Sequence, residues 1–140
     1  MRRKCGFTVI DQLITIVLLA LVLAISLRGV GVMRDTLAVQ AAARAVKDAF
    51  ALAREHAGAA GLRTAVRLSE AHGRVTVHAG ADSLAQLALT RTHGVTFTTT
   101  RDSMSYLPSG LGFGASNLSL VLSRGTIVDT ITVSRLGRVR

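Results

Sequence analysis

Cys5 has no partner. As the sole cysteine among 140 residues, it excludes an intramolecular disulfide, so any folded head must be held by its core alone. It also precedes the apolar run, whereas a lipidated cysteine ends a signal peptide. Patterns of catalysis and metal binding are missing too. No serine lies in a G-x-S-x-G turn. His56, His72, His78 and His93 are dispersed without paired spacing, and Asp82, Asp102 and Asp129 belong to no calcium-type loop. Gly110, Gly112 and Gly114 follow Pro108 without the strand, helix and spacing of a dinucleotide fingerprint, so 108–114 reads as a surface loop. The expectation is a non-enzyme with no metal and no cofactor. The alternative of another class, a membrane-anchored enzyme, would need a polar cleft with converging titratable groups.

Acidic residues are scarce: eight against seventeen lysines and arginines, a formal net charge of +9. The cations fall in three places, namely Arg2, Arg3 and Lys4, a scatter from Arg28 to Arg54, and nine arginines after Gly61. Such a balance favours polyanionic partners, nucleic acid or anionic lipid surfaces. The plain alternative is a solvated basic surface. The length suits one compact domain plus a membrane segment.

Residues 7–27 form an apolar stretch whose helical length, about 30 Å, matches a bilayer core. It is longer than a secretory h-region, and Arg28-Gly29-Val30-Gly31 offers no A-x-A cleavage site behind it. The basic residues 2–4 place the N-terminus in the cytoplasm and the C-terminal head across the membrane, although Arg28 and Arg34 lie on the far side. Asp11 is the exception within the span, at a cost of about 2.5–3.5 kcal/mol at a bilayer centre. Its place near the cytoplasmic end lowers that cost, and an ion pair with a nearby terminal ammonium would offset it.

The order of basic leader, Gly6, Phe7 and Asp11 ahead of the span resembles the prepilin signature. That resemblance implies cleavage between Gly6 and Phe7 by a membrane prepilin peptidase, N-methylation of Phe7, and docking of Asp11 against a terminal amine during assembly with other pilin or pseudopilin subunits. Most such proteins carry glutamate where this chain has the shorter Asp11. A second resemblance, to the minor pseudopilins of the GspH/FimT family, rests on Ala53-Arg54-Glu55-His56-Ala57 and on Val133 to Arg140, together with the missing cysteine pair of major pilins. The implied organisation is a leader (1–6), a transmembrane assembly helix (7–27), an amphipathic continuation (28–60) and a β-rich periplasmic head (61–140), the whole in the inner membrane.

The continuation is legible in the three- and four-residue spacing of Leu37, Ala38, Ala41, Ala42, Ala45, Val46, Ala49, Phe50, Leu52 and Ala53. Gly29 and Gly31 mark a flexible or kinked point, and Gly58 and Gly61 a stop. Beyond them, residues 64–68, 74–78, 87–90, 95–99, 118–122 and 130–133 read as strands of an antiparallel sheet. The predicted fold class is α+β: a long N-terminal helix, membrane-spanning in its first half, packed on a small antiparallel head.

The C-terminal Gly137-Arg138-Val139-Arg140 closes the sequence reading. If extended, it projects Arg138 and Arg140 from one face, with Arg135 nearby and Gly137 allowing a turn. Guanidinium forks so placed can contact successive phosphates without reading sequence. Similarity to FimT-like proteins implies DNA binding during transformation through Gly137, Arg138 and Arg140, with Arg135 in support. Similarity to GspH-like proteins implies contacts with other minor subunits of a secretion pseudopilus. Simple solvated arginines are the third reading.

Overall fold

The computed structural model describes residues 8–113 and 117–140, without the side chains of Leu27 and Arg28. The chain divides into two units, Met1–Arg34 and Asp35–Arg140. Helix α1, Val9–Ala60, contributes to both.

In the first unit the helix is long and apolar enough to cross a membrane. Its large side chains from Val9 to Ile25 are 53–74% exposed, so among the described residues nothing covers them. Burial of such a surface requires lipid or other proteins. Gly29 and Gly31, expected to mark a flexible or kinked point, lie inside α1 and do not interrupt it. A helical glycine costs only about 1 kcal/mol relative to alanine, which a long helix absorbs.

In the second unit α1 supplies a stripe of Val39, Ala42, Ala43, Val46, Ala49, Phe50, Ala53 and Ala57, all buried. Leu37, Ala41 and Leu52, assigned to that stripe from sequence, are instead exposed, and Val39, Ala43 and Ala57 take part. The cause is the abundance of alanine on both sides of the helix, which blurs the phase of a 3.6-residue period. The helix stops at Ala60, before Gly61 at φ +64°.

Eight strands follow among the described residues: β1 Thr64–Ser69, β2 Arg74–Ala79, β3 Asp82–Ala88, β4 Thr96–Thr99, β5 Ser103–Tyr106, β6 Gly112–Phe113, β7 Leu118–Arg124 and β8 Ile127–Val133. They form a five-stranded sheet in the order β3-β2-β1-β5-β6 and a three-stranded sheet in the order β4-β7-β8, with every pairing antiparallel. Alternation sends Val66, Leu68, Val75 and Val77 from one sheet, and Leu118, Leu120, Leu122, Ile131 and Val133 from the other, into the core around Phe50 and Tyr106. The fold is therefore α+β, a long N-terminal helix packed on antiparallel sheets.

The strand expected at 87–90 is corrected. Residues 87 and 88 end β3, and Leu89–His93 form a short helix, α2, closed by Gly94. Leu89 is buried from this helix, and Thr90 donates its hydroxyl to the Val95 carbonyl at 2.9 Å. A short apolar run cannot by itself distinguish a strand from a helical turn. Strand β5 was not expected because Ser103, Met104, Ser105 and Tyr106 carry little aliphatic character, and β6 lies inside the glycine-rich stretch read as loop.

One ion pair fastens the second unit at its helical start. Arg124 Nε, on β7, donates to Asp35 Oδ1 at 2.8 Å, and the same guanidinium donates to the carbonyl of His93 at the end of α2.

Candidate functional site

Gly6 and Phe7 lie outside the described residues. Asp11 lies in the first turn of α1, where its carboxylate accepts from the Thr8 backbone N–H at 3.0 Å and from the Thr8 hydroxyl at 2.7 Å. The Asp11 N–H returns to Thr8 Oγ1 at 3.3 Å. This reciprocal pattern is a capping box: the hydroxyl of residue 8, the N-cap, accepts the orphan N–H of residue 11, whose carboxylate accepts the N–H of residue 8. The signal was present in the sequence as Thr8-x-x-Asp11. Asp11 was read only as a partner for an amine, so its local role was missed.

At the other end, the C-terminal segment folds back on β8. Thr132 and Arg140 exchange both backbone hydrogen bonds, at 3.0 and 2.9 Å, and Ser134 N–H donates to the Arg138 carbonyl at 2.8 Å. Val133 and Val139 are bridged between these contacts. The last residues thus continue the three-stranded sheet past β8. Val139 packs against the core while Arg138 and Arg140 are exposed, as strand alternation requires. Arg135 is exposed in the connecting turn, its N–H donating to Asn117 Oδ1 at 3.3 Å.

Gly137 makes that turn possible. It has φ +78°, and an added Cβ would stand 2.7 Å from Tyr106 Cε1. Its carbonyl lies 3.5 Å from the Tyr106 hydroxyl, which donates toward it. Burial pushes the Tyr106 phenol up to about 12, against a smaller opposing pull from Arg54, so the hydroxyl keeps its proton and its donor role. The glycine required at this position is thus explained by backbone geometry and packing, before any ligand is considered.

Two grooves border the tail. The first, about 500 Å³, is lined by Asn117, Ser119, Thr132, Ser134, Arg138 and Arg140 among others. The second, about 560 Å³, lies between α1 and the turn around Pro108 and is lined by Lys47, Arg54, Glu55 and Arg138. Arg138 belongs to both. Arg135 lines neither of them, so the structure brings Arg138 and Arg140 together and leaves Arg135 aside. Lys47 and Arg54 were not read from sequence as binding residues, Arg54 entering only within the Ala53–Ala57 resemblance, because a lysine and an arginine on an exposed helical face look like ordinary solvated charge. Only the return of the C-terminus to α1 sets them beside Arg138. Among the described residues, no three histidine, cysteine, aspartate or glutamate side chains gather as a metal site.

No protein-family model matches the sequence, and no curated protein matches it significantly. Solved structures do resemble the fold. The type IV minor pilin FimU of Pseudomonas aeruginosa superposes with a TM-score of 0.63 at 13% identity, over 73% of this chain and 86% of that one. The minor pseudopilin EpsH of the Vibrio cholerae type 2 secretion system gives a TM-score of 0.58 at 16% identity, over 73% and 94%. The chain therefore has the fold of minor pilins and minor pseudopilins.

Proposed function

We propose that this chain is a minor subunit of a type IV pilus or a type II secretion pseudopilus, working by assembly and binding. The observation that carries the reading is the uncovered apolar half of α1 joined in one helix to a head of minor-pilin fold. A surface of that kind is buried first in the inner membrane and then against neighbouring subunits. In this reading prepilin peptidase cuts between Gly6 and Phe7, Phe7 is methylated, and Asp11 pairs with a terminal amine on docking. Basic residues 2–4 hold the N-terminus in the cytoplasm, and the head is periplasmic. The test is a photo-cross-linker at Leu19 in cells with and without prepilin peptidase. Cross-links to other pilin-like subunits should form only with the peptidase present; an unlinked membrane monomer in both strains would overturn the proposal.

The finer reading is that the head binds double-stranded DNA without sequence preference, through Arg138 and Arg140. It is supported by their exposure on one face of the C-terminal segment, with hydroxyl and amide groups around them. Replacing both with alanine should weaken DNA binding and lower its dependence on salt. The purely structural alternative, a secretion pseudopilin contacting other minor subunits, is supported by the similarity to EpsH. It expects no DNA binding by the wild type.

A further inference from the structure

We infer that Lys47 and Arg54 of α1 extend the C-terminal arginines into one phosphate-binding path for duplex DNA, with Arg138 at the junction. The inference rests on the DNA reading above and adds the helix residues that reading leaves out. Seven residues apart, Lys47 and Arg54 share a helical face at a separation of about 10 Å along the axis. Both line the groove that Arg138 closes from the opposite side, while Arg138 and Arg140 line the adjoining groove. The four cations therefore border two depressions that meet at a single side chain. All four are exposed, and among the described residues none of them enters an ion pair. Glu55 is the one carboxylate side chain lining either groove, so the balance remains cationic.

Charge complementarity selects a polyanion with spaced phosphates rather than a single anion. The choice of duplex over single strand comes from the absence of a stacking surface. The sole aromatic lining either groove is Phe50, which is fully buried. Single-strand binders stack bases on exposed rings, whereas a duplex is held through its backbone by basic side chains and hydroxyls. Asn117, Ser119, Thr132 and Ser134 supply such polar groups beside Arg138 and Arg140.

The test compares the full chain in non-ionic detergent with three double variants by fluorescence anisotropy on a labelled DNA duplex across a salt series. Lys47→Ala/Arg54→Ala should weaken binding roughly tenfold and reduce the slope of log affinity against log salt by about 2. Arg138→Ala/Arg140→Ala should do at least as much. Arg67→Ala/Arg74→Ala removes the same charge from exposed positions on β1 and β2 outside the grooves, and should change the affinity less than threefold. Equal losses in all three would reduce the effect to net charge and overturn the path. An unaffected Lys47→Ala/Arg54→Ala variant beside a weakened Arg138→Ala/Arg140→Ala variant would overturn the path while leaving the tail reading intact. Failure of the wild type to bind the duplex at any salt concentration would overturn both.

Discussion

Gly137 was read from sequence as a residue that permits a turn, and its surroundings give the physical reason. A positive φ and a Cβ position against the Tyr106 ring leave no room for a side chain. Gly137→Ala should therefore destabilise the head by about 1–3 kcal/mol in thermal melts, through backbone strain and displacement of the ring. Tyr106 sets an alkaline limit. Its folded pKa is raised above the unfolded value, so its contribution is complete below about pH 10 and is lost as pH rises towards about 12. The melting temperature of the wild type should fall more steeply across that window than that of Tyr106→Phe. Thr64 offers the opposite case: it is fully buried and its hydroxyl has no hydrogen-bond partner. Thr64→Val keeps the shape, removes an unsatisfied group and should stabilise by about 1 kcal/mol, seen as a melting point several degrees higher.

Among the elements, legibility followed periodicity. Helix α1 shows through by its long apolar run and alanine content, and strands β1, β2, β4, β7 and β8 because their apolar residues recur at the spacing their burial demands. Strand β5 hides because four residues, two of them serines, carry too little aliphatic character to register as a strand, and α2 hides because five residues are too few to display a helical period. The site was legible in part. Arg138 and Arg140 could be placed on one face from alternation alone, whereas Lys47 and Arg54 join them only through tertiary return of the chain. The Asp35–Arg124 pair, about 90 residues apart in sequence, is of the same kind. Both partners are about one-third exposed, so Asp35→Ala should cost only about 1 kcal/mol in chemical denaturation, consistent with a screened ion pair. The Thr8–Asp11 capping box was visible as a motif, and its loss in Thr8→Val should raise amide exchange at Ile10 and Asp11 in detergent micelles.

For the molecule as a whole, the two ends of α1 present different surfaces. One end leaves its large apolar side chains more than half exposed, and the other buries a stripe of alanines, Val39, Val46 and Phe50 beneath two sheets. The capping box gives Asp11 partners within its own chain, and under the proposed assembly those bonds would be exchanged for a terminal amine. The central proposal, a subunit released from a leader for assembly through α1, is tested most directly by intact-mass spectrometry of the chain extracted from the inner membrane. The account predicts a mature form that begins at Phe7 and carries one added methyl group. A chain retaining Met1 to Gly6, or one cut beyond Leu27, would contradict it.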